Sequence, residues 1–557
     1  MASAQKNNID EQLSGIRRRE EEERAELLAK KLDLPYINLA KLPVDLDSLL
    51  FLNEKEALQA RLAVIDKMEK NIKVILAEPD NPATKSLLEK LEKQGFKISK
   101  FIVSPHSLDK AFKLYKSVAK KEGSITGKVN IDQQELEKIQ QELASLAEIK
   151  KKMEAAQAAQ REATELLEII IAGALQNEAS DTHLEGKENG ALLRYRIDGV
   201  LHDVVSLSPK TYQLVLSRIK LLSAMVLNIH DKAQDGRFSI GTSTAAIEVR
   251  VSIIPGPYGE NVVMRLLNPK SINLGLKDLG FREDMLKFIE QEIKRPNGMI
   301  VTTGPTGSGK TTALYAFLRE VTDPEIKIIT LEDPIEYHLA GITQTQVETE
   351  HGYTFAAGLR AILRQDPDMV LVGEIRDTET AEIAIQAALT GHIVFSTLHT
   401  NDAAGAIPRF IDMGANPTTL SAALIDIMAQ RLLRRICPSC KKEYEPSAEE
   451  KEKVKKALTG LPPEVKIPDI SKGFKLYKGA GCPACNNTGY KGRVGIYELI
   501  PVDAEIEKLI TKSPSHAEVL ELAQKKGFIS MYKDGMIKVL AGISTLEELD
   551  DIVGKQV

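Results

Sequence analysis

A glycine-rich stretch, Gly304–Thr311, constrains this chain more than any other part of its sequence. It fits the pattern Gly-x-x-x-x-Gly-Lys-Thr, in which glycines let the backbone curl so that successive N–H groups point at phosphate oxygens. The apolar run Gly298–Thr303 before it has the length of a buried strand, and the residues from Thr312 onward have the pattern of a helix. A strand, a phosphate loop and a helix in this order predict a site for a nucleoside triphosphate.

The residues of this loop have different expected roles. The N-terminus of the following helix carries partial positive charge, which favours a phosphate group. We expect Lys310 to reach the β- and γ-phosphates and the hydroxyl of Thr311 to ligate Mg²⁺. The predicted nucleotide-binding residues are Gly304, Pro305, Thr306, Gly307, Ser308, Gly309, Lys310, Thr311 and Thr312.

Size and composition predict a soluble chain of several domains. Its 557 residues are 43% hydrophobic and 27% charged, with a formal net charge of −5. This balance is ordinary for globular protein and gives no overall attraction to nucleic acid or an anionic membrane. The most apolar stretch, Leu166–Leu175, is too short to span a bilayer, and the N-terminus lacks the hydrophobic core of a signal peptide. We therefore expect a cytoplasmic protein that reaches a membrane only through partners.

Changes in the pattern of apolar and polar residues along the chain predict a multidomain α/β fold. Strands and helices alternate after the phosphate loop as they do around a parallel sheet, whereas the preceding region has the hairpin pattern of an α+β domain. The predicted segments are a small N-terminal α/β domain (1–128), a helical linker (129–164), a second α+β domain (165–270), the phosphate-loop core (271–436), a tetracysteine subdomain (437–495) and a C-terminal helical region (496–557).

Two segments near the N-terminus are read as helical. The run Arg17–Arg24 has charges at helical spacing, and its favoured interpretation is a solvated helix face. The linker has apolar residues three or four apart, which predicts a long amphipathic helix and leaves coiled-coil pairing open. These apolar residues are Leu136, Ile139, Leu143, Leu146, Ile149 and Met153.

Two arginines interrupt apolar strands of the second domain. Arg250 lies within Ala246–Ile254 and Arg265 within Asn261–Leu267. A buried guanidinium without a partner would be costly. Each arginine therefore either pairs with a nearby carboxylate or faces an anion from elsewhere, and the residues alone leave both alternatives open.

Acidic residues follow two predicted strands of the phosphate-loop core. Glu332 ends the apolar run from Ile326 and opens the sequence Glu-Asp-Pro-Ile-Glu, and Glu374 follows the run Met369–Val372. Carboxylates at the ends of parallel strands lie beside the bound nucleotide. They are placed to orient water or to support Mg²⁺.

Two histidines and four cysteines complete the candidate sites. His392 and His399 bracket one strand, and their spacing makes a shared metal ion improbable because they lie too far apart on extended chain. All four cysteines fall in two Cys-x-x-Cys pairs separated by 41 residues. This pattern predicts a structural zinc site formed by Cys437, Cys440, Cys482 and Cys485.

These motifs together resemble the ATPases of type II secretion and type IV pilus assembly. The phosphate loop, the Glu332–Glu336 segment, the Glu374 segment and the two histidines are similar to that family's Walker A motif, Asp box, Walker B motif and His box. The tetracysteine insertion and the following Arg493–Glu498 narrow the resemblance to the assembly or secretion branch. The resemblance covers about residues 165–557 and is looser over 25–120. We find no cyclic-di-GMP motif near the N-terminus.

The resemblance implies a hexameric ring with a RecA-like motor domain, a PAS-like second domain and a partner-binding N-terminal domain. It assigns Arg250 and Arg265 to the γ-phosphate, Glu332 to the attacking water and Glu374 to water-bridged Mg²⁺, with His392 and His399 sensing the γ-phosphate. Hydrolysis would then be coupled to rotation of one domain against another, which would drive a membrane platform protein and extrude pilin subunits.

Three classes of function remain to be separated: a motor that extrudes pilin or pseudopilin, a nucleic-acid motor and a nucleotide-binding module. We favour pilus assembly, with type II secretion as the alternative. A nucleic-acid motor is disfavoured because the chain is acidic, contains no tryptophan and has no basic stripe interleaved with aromatic residues. A nucleotide-binding module without turnover would not need Lys310, Glu332, Glu374 and the arginine pair.

Overall fold

The structure, a computed structural model, describes residues 21–38, 49, 51–52, 54–68, 71–109, 111–112, 128–130, 142–241, 246–267, 274–467, 470 and 473–554. The chain forms two compact units, Met1–Lys128 and Val129–Val557. The charge run Arg17–Arg24 begins outside the described residues. Leu136 and Ile139 of the predicted linker, and with them the coiled-coil alternative, also lie outside the described residues.

The N-terminal unit contains a three-stranded sheet. Its first two strands are antiparallel and its last two are parallel, joined by a helix that packs on the sheet. That helix begins at Pro82 because the Asn81 side chain accepts a hydrogen bond from the N–H of Ala83, and proline suits the first helical turn. The elements are α1 (Glu54–Gln59), β1 (Leu62–Met68), β2 (Asn71–Leu76), α2 (Pro82–Lys93) and β3 (Lys97–Ile102).

The first half of the larger unit is built around an antiparallel sheet with strand order β4-β8-β9-β10-β5-β6-β7. The predicted hairpin at Asp198-Gly199 is present, and both residues have positive φ, 50° and 88°, as a tight hairpin turn requires. The elements are β4 (Lys128–Asn130), α3 (Leu146–Ala158), α4 (Ala163–Gln176), β5 (Asp181–Lys187), β6 (Gly190–Ile197), β7 (Val200–Leu207), α5 (Pro209–Leu222), β8 (Gln234–Gly241), β9 (Ala246–Ile254) and β10 (Asn261–Leu267).

The described part of the predicted linker is a packed helix. Ser145 caps α3 by accepting a hydrogen bond from the N–H of Glu148, and the helix ends at Ala158, before the positive φ of Gln160. Ile149 and Met153 are fully buried in the same core as α4 and the antiparallel sheet. Helix α3 therefore belongs to the second domain's core, and one continuous helix does not run from 142 to 164.

The phosphate-loop core contains a second seven-stranded sheet, with order β13-β12-β14-β15-β11-β16-β19. Neighbouring strands are parallel except for the edge pair β16 and β19. The elements are α6 (Glu283–Glu292), β11 (Gly298–Thr303), α7 (Lys310–Val321), β12 (Ile328–Glu332), β13 (Thr343–Gln346), α8 (Phe355–Leu363), β14 (Met369–Val372), α9 (Thr378–Leu389), β15 (Ile393–Leu398), α10 (Ala406–Asp412), α11 (Pro417–Ala423) and β16 (Leu424–Ile436).

The central strands of this sheet are buried at every position and mostly apolar because both faces are covered. Every residue of β11 is buried. Met299 and Val301 pack into one hydrophobic cluster, and Ile300 between them packs into a second on the opposite face. Uninterrupted apolar runs of this kind are typical of parallel strands.

The chain returns to the parallel sheet after the second pair of cysteines. β19 pairs with β16 from Asp426–Pro501 to Ile436–Tyr490, so one strand crosses the predicted boundary at 495/496. The remaining elements are β17 (Lys441–Tyr444), α12 (Ala448–Leu458), β18 (Leu476–Gly479), β19 (Tyr490–Pro501), α13 (Ala504–Ile510), α14 (His516–Lys525), α15 (Met531–Leu540) and α16 (Leu546–Val553). Within the described ranges, no helix combines the length and the apolar character that crossing a bilayer requires.

Candidate functional site

The phosphate loop leaves the carboxyl end of β11 and curls tightly into α7. Gly304, Gly307 and Gly309 all have positive φ, of 145°, 79° and 89°. At Gly304 an added Cβ would lie 2.5 Å from the backbone oxygen of Gln430. Glycine is therefore required there by both backbone conformation and space.

Lys310 lies within this loop with 9% of its surface exposed. Its ammonium donates hydrogen bonds to the carbonyl oxygens of Gly304 at 2.7 Å and Pro305 at 3.2 Å. Burial lowers the pKa of Lys310, and the charge of Glu374 opposes that effect. The cation is thus held by the loop's own carbonyls, within electrostatic reach of the carboxylate of Glu374, which follows β14.

A cavity of about 420 Å³ opens beside the loop, a size typical of small-ligand sites. It brings together most of the predicted residues: Thr306, Gly307, Gly309, Lys310, Thr311, Thr312, Glu332, Glu374 and His399. It is also lined by residues to which sequence reasoning gave no catalytic or binding role, among them Glu336, Phe355, Arg376 and Arg493. Of these, Glu336 and Arg493 lie in the motifs Glu332–Glu336 and Arg493–Glu498. Their places in these motifs are the sequence signal that could have identified them.

Glu332 is buried at the end of β12, with 3% of its surface exposed. One carboxylate oxygen accepts hydrogen bonds from the Thr330 hydroxyl at 2.6 Å and the Gln344 amide at 3.1 Å, and the other accepts one from the Tyr315 hydroxyl. Burial, and then the charge of Glu332, raises the pKa of Tyr315, which keeps that donor protonated. Three protein donors therefore already engage the carboxylate of Glu332.

Glu336, four residues later, has a different environment in the same cavity. Burial raises the pKa of its carboxyl, while the charges of Arg250 and Arg265 oppose that rise. Among the described residues, no protein hydrogen bond to this carboxylate is found. Glu336 therefore combines a position at the cavity with a perturbed pKa, two properties of candidate catalytic residues.

Glu374 follows β14 and is held by two cationic or polar side chains. Its carboxylate lies 2.6 Å from Nη2 of Arg376 and 3.2 Å from Nε2 of His399. Thr400, next to His399, donates its N–H to the hydroxyl of Thr303 at the end of β11. This set of contacts links the predicted Mg²⁺ side of the cavity to the strand that carries the phosphate loop.

The structure does not bring His392 to the cavity. His392 precedes β15 at its amino end, where its Nδ1 lies 3.0 Å from the carbonyl of Ala387 and its own carbonyl accepts the N–H of Gly298, the first residue of β11. The phosphate loop leaves the other end of β11. β15 and β11 are parallel and in register. The two histidines therefore lie at opposite ends of β15, and only His399, at the carboxyl end, reaches the site.

Arg250 and Arg265 point away from the core of their own domain. The residues that alternate with them, such as Val249, Val251 and Met264, are buried. The side chains of the arginines are 25% and 58% exposed. Local carboxylates therefore lie beside both arginines, as the first alternative expects, and both side chains remain partly exposed, so the second alternative stays a prediction.

The contacts of these arginines lead to the edge of the nucleotide cavity. Nε of Arg265 lies 2.9 Å from Asp181, and this hydrogen bond raises the pKa of Arg265. Nε of Arg250 lies 3.5 Å from Glu248, and its Nη2 donates to the carbonyl of Ile335 in the Glu332–Glu336 segment. The antiparallel sheet therefore contacts the phosphate-loop core beside the acidic segment.

The four cysteines form a compact cluster in which all four sulfur atoms lie within 4.8 Å of one another. The Sγ separations of Cys437–Cys482, Cys440–Cys485 and Cys482–Cys485 are 3.8, 3.9 and 3.7 Å. Tetrahedral coordination with metal–sulfur bonds of about 2.3 Å places sulfur atoms roughly 3.8 Å apart. The cysteines are free of disulfides, and their spacing fits a tetrahedral metal ion.

Comparison with known proteins agrees with this arrangement. The family model described as type II/IV secretion system protein matches residues 156–551, which include the sheet of the phosphate-loop core, every strand of the antiparallel sheet except β4, and the cysteine cluster. The chain belongs to this family. The described phosphate loop, acidic segments and tetracysteine cluster all lie within the part of the chain that the family model matches.

Relatives of both kinds within this family are similar to the chain. The type II secretion system protein E of Dickeya dadantii is 46% identical over 384 residues, covering 69% of this chain and 74% of the relative. The type IV pilus assembly ATPase PilB of Myxococcus xanthus is 37% identical over 534 residues, covering 95% of this chain and 91% of the relative. The X-ray structure of the ATPase DotB of Yersinia pseudotuberculosis covers 70% of this chain and 93% of its own, with 20% identity and a TM-score of 0.51. At that identity the likeness shows a common fold alone.

Proposed function

We propose that this chain hydrolyses ATP to power the assembly of type IV pili. The chain is an ATP hydrolase by family, since its relatives include proteins named as ATPases. One observation carries the proposal: a phosphate loop and the acidic residues Glu332, Asp333, Glu336 and Glu374 share one cavity, and an arginine from a second sheet hydrogen-bonds to its edge. This arrangement suits an enzyme that moves one domain against another as it turns over nucleotide.

The cavity's own residues supply the steps of hydrolysis. The loop Gly304–Thr311 would hold the phosphates of ATP, and Lys310 would exchange its loop carbonyls for phosphate oxygens. Thr311 and, through water, Glu374 would hold Mg²⁺, which would neutralise phosphate charge. Negative charge spreads over the γ-phosphate oxygens in the transition state, and Arg250 and Arg265 stabilise it. His399, bound to Glu374, transmits the state of the phosphate to the sheet.

We assign the orientation of the attacking water to Glu336 and a supporting role to Glu332. The sequence motif favoured Glu332, but its carboxylate accepts hydrogen bonds from Thr330, Gln344 and Tyr315. Glu336 lines the same cavity, and burial raises the pKa of its carboxyl, which makes its carboxylate a stronger base.

We propose that the tetracysteine cluster binds a structural Zn²⁺. The sulfur separations support tetrahedral coordination, and all four ligand positions are filled by cysteine, which leaves no open position for catalysis. Metal analysis of the purified chain should find about one zinc per chain. A Cys485→Ser variant should lose the zinc, whereas Cys ligation is ruled out if zinc remains bound at full stoichiometry.

The proposed assembly follows the family resemblance. We propose that the chain works as a cytoplasmic homohexamer at the inner face of the membrane, with a PAS-like second domain as the lever and the N-terminal unit as the contact to membrane partners. A polytopic platform protein would receive the motion and lift pilin from the bilayer.

Type II secretion is the second candidate, and the higher identity to the Dickeya protein favours it. The greater extent of the Myxococcus match, which reaches into the N-terminal unit, favours pilus assembly. Deleting the gene in its own host should remove surface pili and leave protein secretion intact, and re-expression of Lys310→Ala should not restore the pili. Lost secretion with intact pili would instead support the second candidate. ATPase activity stimulated by DNA and weakened steeply by salt would support nucleic-acid translocation.

A further inference from the structure

Three arginines lie side by side across the antiparallel sheet. In the strand register Arg237 of β8 is directly opposite Arg250 of β9, and Arg250 is directly opposite Arg265 of β10. Residues directly opposite in adjacent strands project from the same face of the sheet. The three guanidinium groups therefore form a row, here called the arginine row, and Arg237 is the member that sequence analysis did not identify.

The carboxylates near this row do not neutralise it evenly. Asp181, opposite Arg265 in the next strand, lies 2.9 Å from Arg265 and is shared with Arg196 at 3.4 Å. Glu248 lies 3.5 Å from Arg250. In the described part of the chain, Arg237 is exposed and forms no ion pair with any carboxylate within 4.0 Å.

Like charges directly opposite each other destabilise a sheet. A row of three arginines is therefore a cost to the fold unless an anion offsets it. Arginine is also the side chain best suited to hold a phosphate, because its planar guanidinium donates two parallel hydrogen bonds to two oxygens. The arrangement favours an oxyanion as the missing partner.

The space in front of the arginine row borders the cavity beside the phosphate loop. A cavity of about 590 Å³ is lined by Arg237, Arg250 and Arg265 of the antiparallel sheet and by Pro334 and Gln346 of the phosphate-loop core, and the carboxylates of Asp235 and Glu248 line it as well. Pro334 also lines the cavity beside the phosphate loop. The two cavities thus meet at the Glu332–Glu336 segment, to which Arg250 is hydrogen-bonded.

We propose that Arg237 completes a phosphate-binding site with Arg250 and Arg265. Resting on the proposed function, this site takes a phosphate oxyanion, either the γ-phosphate of bound ATP or the orthophosphate that hydrolysis releases. Arg237 lies at the end of the row away from Asp181 and, among the described residues, forms no ion pair within 4.0 Å, so its guanidinium is available to the phosphate. It is a binding residue, and the phosphate loop does not depend on it.

The direct test measures binding of orthophosphate to the full chain without turnover. Orthophosphate should raise the Tm of the wild-type protein, compared with chloride at equal ionic strength, because a ligand that binds only the folded state stabilises it. Arg237→Gln should fold normally and weaken this dependence on phosphate about tenfold, since one charge-assisted hydrogen-bonding group is lost. Arg196→Gln is the matched control, because Arg196 lies beyond Asp181 in the same register and does not line the cavity. An unchanged phosphate response in Arg237→Gln overturns the proposal.

A second arm separates the two phosphate sources and the two proposals. If the site takes the γ-phosphate, Arg237→Gln should lower kcat about tenfold and leave the affinity for ADP unchanged. If it takes released orthophosphate, kcat should stay constant while product inhibition by orthophosphate weakens. Arg237→Lys, which keeps the charge but loses the planar fork, should recover part of either effect. If the wild-type chain does not hydrolyse ATP, the proposed function fails, whereas the Tm response to orthophosphate still decides the role of Arg237.

Discussion

The two seven-stranded sheets of the larger unit place charge in opposite ways. In the parallel sheet both faces are covered, and the carboxyl of Asp426 within β16 is 2% exposed, with a pKa raised by burial, and further by Glu292, to about 8. In the antiparallel sheet one face remains accessible, and Arg250 and Arg265 occupy the middle of their strands as full charges. A sheet buried on both faces tolerates ions only at its edges, whereas a half-exposed sheet can present a row of them.

This difference separates the two halves of the proposed engine. The parallel sheet collects its chemistry at the carboxyl ends of its strands, where Lys310, Glu336 and Glu374 line one cavity. The antiparallel sheet presents the guanidinium groups of Arg250 and Arg265 on its accessible face. In the proposed function this sheet moves as one body toward or away from the cavity at the carboxyl ends of the parallel strands. In the proposed function the parallel sheet supplies nucleotide binding and the water-orienting carboxylate, the antiparallel sheet supplies the cations that stabilise the transition state, and relative motion of the two sheets would couple these contributions.

The largest expected effect comes from removing the cations of the antiparallel sheet. The double variant Arg250→Gln/Arg265→Gln should lower kcat by roughly 10³–10⁵, the contribution of arginine fingers in other nucleotide hydrolases. ATP affinity should change little because the phosphate loop is intact. Steady-state phosphate release and nucleotide titration measure the two quantities, and near-normal turnover would break the proposed division of labour.

The matching change in the parallel sheet is Lys310→Ala. We expect turnover to fall about 10³-fold, because a preorganised charge at the phosphates is lost. ATP affinity should weaken as well, which distinguishes this variant from the arginine pair. Lys294→Ala, at an exposed position of the same domain, is the control and should behave as wild type.

The two acidic residues of the Glu332–Glu336 segment give the next effect. Glu336→Gln should lower kcat by about 10² while ATP still binds, since general-base assistance is removed. Glu332→Gln should mainly lower the Tm, because its amide would meet three groups that now donate to a carboxylate. The opposite pattern, with turnover lost only in Glu332→Gln, would return the water-orienting role to Glu332.

The smallest effect concerns the buried carboxyl of Asp426. Its folded-state pKa of about 8 lies above the ordinary value of 3.8, so the folded protein binds a proton that the unfolded chain releases. The contribution of Asp426 to the free energy of unfolding should therefore be fully present below pH 3.8. It should be lost as the pH rises toward 8, by roughly 1 kcal/mol per pH unit. Asp426→Asn removes this dependence. Denaturant unfolding at pH 6 and 8 should therefore find that the free energy of unfolding of the variant exceeds that of the wild type by more at pH 8 than at pH 6. An equal advantage at both pH values would mean that Asp426 is ionised throughout.

Contiguous motifs were predictable because neighbours in sequence form them. The strand before the phosphate loop and the loop's glycines were expected from the sequence and are present in the structure. Elements without such a pattern were missed: β13 is a short polar edge strand, and β16 and β19 pair across more than fifty residues. Of the two histidines only His399 lies at the cavity, because the spacing of residues along one strand does not say which end of a parallel sheet carries the site.

The phosphate loop, the acidic residues at strand ends and the two cysteine pairs could be recognised from the sequence alone. Each of them is a local pattern with its own chemistry. Only the tertiary structure decided that Glu332 is engaged by three donors, that Glu336 is not, and that Arg237 stands beside Arg250 and Arg265. Those facts depend on strand register and on packing between distant segments. A cross-strand neighbour is set by hydrogen bonds between strands, and no local spacing records it.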